Sequence, residues 1–282
     1  MDLTSMRDKT VIVTGANTGI GKVTALEMAR MGAKVVMLCR NPEKGVAARD
    51  EIVRLSANSD VELIVADLGE RATLLRFVEV FNERHSRLDV LINNAGGIWR
   101  KYSETADGHE TTFGVNHLGH FYLTHLLTPL LLDSAPSRIV NVSSDFHRFA
   151  REINFEDVMG KNNYNSWYAY AQSKLCNIMF TYRLADLLKN TGVTANCLHP
   201  GAVGTEFARE LPAWVKNIFN FIAVTPEKGA RTSVYLAASP QVETVSGKYF
   251  ASRKPKNSSS VSYNVQLQKR LWKLSEDLCG IS

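Results

Sequence analysis

The fold is constrained most by a regular alternation of short apolar runs with longer amphipathic segments. Strand-like runs cover residues 10–14, 34–39, 61–66, 88–93, 137–143, 193–199 and 247–250. Helix-like segments cover residues 19–31, 42–56, 70–84, 106–132, 164–189, 226–238 and 263–278. Most of the strand runs are continuously hydrophobic, which is typical of strands buried on both faces. The alternation therefore predicts one doubly wound α/β domain over residues 1–282, with a mostly seven-stranded parallel sheet and helices on both faces.

Composition and charge exclude several other classes of protein. The 282 residues are 45% hydrophobic, which is enough for a sizeable core, and the net charge of +5 is mild. The one compact basic cluster, residues 252–257, lacks interleaved aromatic residues, so we interpret it as a solvated loop and expect no nucleic-acid binding. Four widely spaced cysteines without a CxxC pair favour reduced thiols and no metal module.

The length of the apolar runs bears on location. The first strand begins at Thr10, too early for a preceding signal peptide, and no apolar run reaches the ~18 residues of a membrane-spanning helix. We therefore expect a cytoplasmic protein without a transmembrane segment.

A glycine-rich turn, residues 14–21, follows the first strand and opens the first helix. Gly15 permits a sharp turn, Gly19 lets backbone amides approach a pyrophosphate, and Gly21 lets the helix pack closely on the sheet. The helix N-terminus also attracts phosphate. The GxxxGxG spacing differs from the usual GxGxxG, so a plain glycine-rich turn is the alternative. We assign to a dinucleotide-binding turn the residues Gly15, Asn17, Thr18, Gly19, Ile20 and Gly21.

The end of the second strand indicates which nucleotide would bind. An acidic residue usually stands there when the ribose 2′-hydroxyl of NAD is held. This chain has Cys39 followed by Arg40. An arginine can bind a 2′-phosphate through bidentate hydrogen bonds, so Arg40 predicts NADP(H). A surface arginine without a ligand is the alternative.

Tyr170 and Lys174 are four residues apart in a helix-like segment. That spacing places both side chains on one helix face. A nearby ammonium group favours phenolate and lowers the pKa of a tyrosine, as a general acid/base requires. Tyr168 is a weaker choice, because the residue four positions later is Gln172, which has no charge.

Further motifs occur in a fixed order along the chain. They are Asp67 after the third strand, Asn93-Asn94-Ala95-Gly96 after the fourth, Ser144, Tyr170 and Lys174. With the glycine-rich turn, this set resembles the short-chain dehydrogenase/reductase family. Residues 113–121, 137–144, 199–201 and 271–274 look like its retinol dehydrogenase-like branch.

The resemblance implies a Rossmann-type fold and a set of site residues. The implied catalytic tetrad is Asn116, Ser144, Tyr170 and Lys174. The implied cofactor residues, in addition to the glycine-rich turn and Arg40, are Asp67, Asn93, Ala95, Gly96, Tyr170, Lys174, Pro200, Gly201, Val203 and Thr205. Asp67 would lie by the adenine and Thr205 by the nicotinamide.

The resemblance also implies a reaction. Ser144 would hold the substrate oxygen, Tyr170 would donate a proton, Lys174 would bind the nicotinamide ribose, and Asn116 would support a proton relay. We predict an NADP(H)-dependent oxidoreductase that interconverts a lipophilic aldehyde or ketone with its alcohol, with retinal and retinol as candidates. The alternatives are a steroid, quinone or xenobiotic carbonyl reductase, and a non-catalytic NADP(H)-sensing protein.

Three further expectations complete the sequence reading. Residues 202–224 are predicted to form a substrate-binding lid; within them, residues 211–222 could instead be a core helix or a peripheral membrane contact. His117, His120 and His125 match no metal motif, so no metal is expected. A homo-oligomer is left open.

Overall fold

One mixed sheet organises the protein. The computed structural model describes residues 5–201 and 225–281. The strands are β1 (Thr10–Thr14), β2 (Lys34–Cys39), β3 (Val61–Val65), β4 (Val90–Asn93), β5 (Ser137–Val142), β6 (Val193–His199), β7 (Tyr249–Ala251) and β8 (Lys254–Lys256). Their order is β3-β2-β1-β4-β5-β6-β7-β8, and β1 to β7 pair in parallel. The predicted mostly parallel sheet is confirmed.

Helices cover both faces of this sheet, as predicted. They are α1 (Gly19–Arg30), α2 (Pro42–Ser56), α3 (Arg71–Arg84), α4 (Thr111–Phe113), α5 (Gly119–Asp133), α6 (Ser166–Leu187), α7 (Pro226–Ala238) and α8 (Val265–Cys279). One apolar cluster packs α1, α2 and α7 on one face. The larger one packs α3, α5, α6 and α8 on the other. Asparagine side chains at Asn41, Asn165 and Asn264 accept backbone amides and so fix where α2, α6 and α8 begin.

The strand order places a crevice at the centre of the sheet. Strands β2 and β3 lie on one side of β1, whereas β4 to β7 follow on its other side. The connections after β1 and β4 therefore diverge at the carboxyl edge, which is where doubly wound sheets bind ligands.

The edge of the sheet differs from the sequence interpretation. Residues 254–256 form a short antiparallel strand, so the loop assignment for the basic cluster 252–257 is wrong at these positions. A two-residue turn at Ser252 and Arg253, both with positive φ, joins β8 to β7. Turns of this type usually carry Asn-Gly, so this hairpin has no local sequence signal. Its exposed Lys-Pro-Lys sequence also discourages pairing with another sheet edge.

The predicted helix at 106–132 is shorter and interrupted. It begins at Thr111, because Glu110 accepts the amides of Thr112 and Phe113 and so caps α4. A π-helical turn, Gly114–Leu118, then separates α4 from α5. Such turns widen a helix locally and occur frequently at functional sites.

Two further features are the apolar length of the helices and the state of the cysteines. In residues 5–201 and 225–281, no helix is long and apolar enough to cross a membrane. All four cysteines are buried free thiols.

Candidate active site

The glycine-rich turn is locked against the loop that follows β4. The Thr14 hydroxyl accepts the amides of Asn94 and Ala95, at 2.9 Å each. Gly15 has a φ of +65°, and a Cβ on it would lie 3.0 Å from Ala95. A Cβ on Gly21 would lie 2.4 Å from both the Asn94 side chain and the Gly15 carbonyl. Neither glycine can carry a side chain without moving backbone.

The N-terminus of α1 is shaped to receive a phosphate. Its N-cap residue, Thr18, makes no side-chain capping hydrogen bond, and its first turn contains no acidic residue. By contrast, Asn41 caps α2 by accepting the Lys44 amide at 2.8 Å. Thr18 therefore leaves the first amides of α1, from Gly19 and Ile20 onward, without its side-chain cap, as a pyrophosphate site requires. Asn17 and Thr18 lie in the turn just before them. The residues here fit a dinucleotide.

Arg40 and Asp67 lie at the far end of the crevice, after β2 and β3. The Arg40 side chain is 67% exposed, and its Nη1 is 3.7 Å from Asp67 Oδ2. Asp67 Oδ1 accepts the Gly69 amide at 2.9 Å, which fixes the carboxylate. Cys39 is buried, and desolvation raises the pKa of its thiol to about 11, although the backbone amides of the glycine-rich turn oppose the rise. Arg40 is therefore the side chain that reaches solvent at this position.

Asn116 lies in the π-helical turn and is held on every polar atom of its side chain. Its Nδ2 donates to the Gly97 carbonyl and to Ser173 Oγ, both at 3.0 Å. Its Oδ1 accepts the Gly97 amide at 2.9 Å. The Asn116 backbone carbonyl accepts Asn177 Nδ2, also at 3.0 Å. The loop after β4 and helix α6 are thereby joined through one amide.

His120 connects Asn116 to the glycine-rich turn. Its Nδ1 is 3.1 Å from the Asn116 carbonyl, and its Nε2 is 2.9 Å from Thr14 Oγ1. Because burial lowers its pKa to about 3, the ring is neutral, and the geometry assigns its proton to Nδ1. The Thr14 hydroxyl then donates to Nε2. Within the described residues, no group of histidines, cysteines and carboxylates could hold a metal.

Ser144, Tyr170 and Lys174 meet where β5 ends and α6 begins. The Ser144 hydroxyl hydrogen-bonds the Tyr170 phenol. Lys174 Nζ donates to the Val142 carbonyl at 3.1 Å and lies 5.6 Å from the centre of the Tyr170 ring. The lysine is only 3% exposed.

Gly96 adjoins the same cluster. A Cβ at this position would lie 2.9 Å from Asn116 Oδ1 and 3.2 Å from Lys174 Nζ. The tetrad predicted from the sequence is therefore brought together, and a glycine leaves the space beside it open.

Burial dominates the acid/base properties of this cluster. It raises the pKa of Tyr170 above its usual value, while the Ser144 hydrogen bond acts in the opposite direction. It lowers the pKa of Lys174 to about 8. We expected a lowered tyrosine pKa from the sequence, and for the described residues that expectation is wrong. Desolvation penalises both charged forms, and for Tyr170 it outweighs the opposing Ser144 hydrogen bond.

Asn93 does not present its side chain to the crevice. Its Nδ2 donates to Thr124 Oγ1 at 2.9 Å and to Asn141 Oδ1 at 2.8 Å. Asn141 Nδ2 in turn donates to Thr181 Oγ1 at 2.9 Å. This buried row joins β4 and β5 to the helices behind them. Ser143 also has a supporting position, since its hydroxyl donates to the Lys174 carbonyl at 2.8 Å.

The remaining predicted site residues follow β6. Pro200 and Gly201 lie at its carboxyl end, and Gly201 has a φ of +96°. Val203, Thr205 and the predicted lid, 202–224, lie outside the described residues.

Sequence reasoning assigned no site role to several residues that support the tetrad. Ser173 and His120 hydrogen-bond Asn116, and Thr14 hydrogen-bonds His120. Phe146 contacts Tyr170 and stacks on Trp167. Thr14 lies in the glycine-rich turn, His120 lies in residues 113–121, and Ser173 lies between Tyr170 and Lys174, which is the one available signal. The two aromatic residues have none.

Comparisons with known proteins bear on the family and the fold. The family model described as short chain dehydrogenase matches residues 9–216. Retinol dehydrogenase 14 from Mus musculus is 44% identical, over 98% of this chain and 87% of its own length. An uncharacterized protein from Mycobacterium paratuberculosis has a similar crystal structure, with a TM-score of 0.80, 36% identity and coverage of 99% and 96% of the two chains. A short chain dehydrogenase from Escherichia coli CFT073, complexed with NADPH, has a TM-score of 0.70 and 26% identity over 90% and 99%.

Proposed function

The chain belongs to the short-chain dehydrogenase family and is an oxidoreductase acting on CH–OH groups, and from this premise we propose that it interconverts lipophilic aldehydes or ketones with their alcohols using NADP(H). The proposed catalytic unit is the whole chain, 1–282, with residues 202–224 as the lid over the substrate. One observation carries the proposal. Lys174 is buried and Tyr170 is partly buried, and both lie beside Ser144 and Asn116 at the carboxyl edge of the sheet.

The proposed roles follow from where each side chain lies. When bound, the nicotinamide nucleotide supplies the hydride or accepts it. Tyr170, kept protonated by burial, donates its proton to the substrate oxygen during reduction. Ser144 already hydrogen-bonds the Tyr170 phenol, so it can hold the same oxygen in place. Lys174 stabilises the resulting phenolate and binds the ribose, and Asn116 supports proton return.

Arg40 supports the choice of NADP(H). Its guanidinium is exposed at the end of β2, where it can form charge-assisted hydrogen bonds to a 2′-phosphate. Asp67 would contact the adenine side, and Gly15, Gly19, Gly21, Ala95 and Gly96 would line the path between the two ends. The neighbour from Escherichia coli CFT073 is complexed with NADPH, which is consistent with this choice.

Lipophilic substrates are proposed from the relatives, whose names give retinol as their substrate. Retinal and retinol are therefore included, and a steroid, quinone or xenobiotic carbonyl is the alternative class. We propose a cytoplasmic location, since four buried free thiols suit a reducing compartment. We also propose that the protein can contact a membrane peripherally and can form a homo-oligomer.

Turnover and binding measurements test the proposed function together. Purified full-length protein is incubated with NADPH or NADH and a panel of retinal, aliphatic, aromatic and steroid carbonyls, and nucleotide oxidation is followed at 340 nm. We expect turnover with NADPH, and a loss of roughly 10²–10⁴-fold in Tyr170→Phe with unchanged NADPH binding. Nucleotide binding without turnover on any substrate would instead favour a non-catalytic sensor.

A further inference from the structure

Three aromatic side chains form a continuous surface beside Tyr170. The ring centres of Phe146 and Tyr170 are 5.9 Å apart, in an edge arrangement. Phe146 also stacks on Trp167 at 5.7 Å and contacts Phe149 at 4.9 Å. We call Phe146, Phe149 and Trp167 the aromatic wall.

Local structure fixes the wall relative to the phenol. Phe146 and Phe149 are three residues apart in a 3-10 helix, Asp145–Phe149, and this spacing places them on the same side. The helix is capped by Ser144 Oγ, which accepts the Phe146 amide at 3.2 Å. Trp167 lies in the first turn of α6, where it shares a face with Tyr170. The wall is thus built from the same two elements that position Ser144, Tyr170 and Lys174.

Arg100, in the loop after β4, joins the wall to the opposite side of the crevice. Its guanidinium carbon lies 4.4 Å from the centre of the Trp167 ring, within the range of a cation–π interaction. This contact restrains the tryptophan orientation. Phe149 is 70% exposed, so the wall does not serve only as core packing.

We infer that the aromatic wall makes the enzyme select carbonyl compounds whose carbonyl carbon is attached to a flat aryl group. A saturated ring of the same size would bind more weakly. Flat π systems gain stacking and edge-to-face attraction on aromatic side chains beyond what buried area provides. Because Phe146 directly contacts Tyr170, the wall begins beside the first atoms beyond the reacting carbonyl. The inference rests on the proposed function and names its substrate class.

Matched substrates isolate this contribution. We would measure kcat/KM for benzaldehyde and cyclohexanecarbaldehyde with NADPH, in the parent protein and in Trp167→Leu, Phe146→Leu and Trp167→Phe. The two aldehydes differ in intrinsic reactivity, and this difference cancels when the ratio of their kcat/KM values in each variant is compared with the ratio in the parent. Tyr235→Leu, on α7 at the opposite face of the sheet, is the control for replacing an aromatic side chain by leucine. Circular dichroism verifies that each variant is folded.

We expect the leucine variants to lower the benzaldehyde/cyclohexanecarbaldehyde ratio by roughly two- to twelvefold, the range for one aromatic pair. Trp167→Phe should keep most of the preference, and Tyr235→Leu all of it. Equal losses on both aldehydes, or an unchanged ratio in both leucine variants, would overturn the inference while leaving the proposed function intact.

A binding measurement separates this inference from the proposed function. Benzamide and cyclohexanecarboxamide, which carry the carbonyl but are not reduced, are titrated by calorimetry into the NADP⁺-loaded protein. Preferential benzamide binding that is lost in Trp167→Leu supports the wall even if neither aldehyde is turned over. Equal affinity for both amides in the parent protein would contradict it.

Discussion

The two ends of the candidate crevice are built in opposite ways. At the proposed proton-transfer end, Lys174 and Asn116 are buried, and every polar atom of the Asn116 side chain is hydrogen-bonded. At the proposed adenine end, Arg40 is exposed and forms an ion pair with Asp67, at 3.7 Å. The first end depends on β5, the loop after β4, the π-helical turn and α6. The second depends on two loop side chains.

This difference sets how strongly each end responds to substitution. Charges interact strongly in a buried site, whereas water and salt screen an exposed pair, which is typically worth about 0–1 kcal/mol. The proposed reaction chemistry therefore rests on the framework of the fold. The proposed preference for NADP(H) rests on a surface side chain, Arg40, that can be exchanged with little cost to stability.

The largest effect should follow from removing the buried charge. Lys174→Met keeps a similar shape but cannot stabilise a phenolate, so kcat/KM for carbonyl reduction should fall by roughly 10²–10⁴-fold. The free energy of unfolding should not fall, because the fold disfavours the charged lysine and lowers its pKa to about 8. Steady-state kinetics and urea titration measure the two quantities.

Lys273→Met on α8 is the matched control, because this lysine is 68% exposed and lies outside the candidate site. Lys273→Met should leave both kcat/KM and the free energy of unfolding unchanged. A stable Lys174→Met variant with full activity would show that the buried ammonium has no role in the reaction.

The next effect is a pH dependence that only the buried end should show. Lys174 carries its charge below a pKa of about 8 and loses it as the pH rises through that value. Tyr170, with its pKa raised, stays protonated over the same range. The kcat/KM for reduction should therefore be flat near neutrality and fall about tenfold per pH unit above the lysine pKa. A rate that increased from pH 7 to pH 9 would contradict this assignment.

Local patterns explain why much of this architecture was predictable. Residues 35–39 are apolar because both faces of β2 are covered there, and Gly15 and Gly21 occur where a side chain would strike the backbone. Tyr170 and Lys174 share a face of α6 as their spacing predicts. Such features depend on a few neighbouring residues, so the sequence alone reveals them. The catalytic roles of the tetrad stay predictions.

Other features depend on contacts between distant residues and had no local signal. His120, 106 residues after Thr14, hydrogen-bonds its hydroxyl and so bridges it to Asn116, and histidine has many other uses in a core. The aromatic wall forms only when the 3-10 helix at 145–149 meets α6. The pKa of Tyr170 is raised because the folded site is desolvated, which pairwise spacing does not reveal.

A smaller effect is expected at the exposed end. Arg40→Ala should raise the KM for NADPH by roughly fivefold, since the lost hydrogen bonds to a 2′-phosphate are charged but solvent-screened. The KM for NADH should not change, because that nucleotide has no 2′-phosphate. Arg49→Ala on α2 is the control for the loss of one surface charge. An NADH preference in the parent protein would refute the NADP(H) assignment.

The smallest effect should come from the ion pair itself. Asp67→Asn removes the charge opposite Arg40 but keeps an oxygen that can accept the Gly69 amide. We expect the free energy of unfolding to change by less than about 1 kcal/mol. Asn93→Leu, which leaves Thr124 and Asn141 without their buried partner, should cost about 1–3 kcal/mol. If urea denaturation showed equal losses, the contrast between a rigid buried framework and a replaceable surface end would not hold, since both would then contribute alike to the stability of the fold.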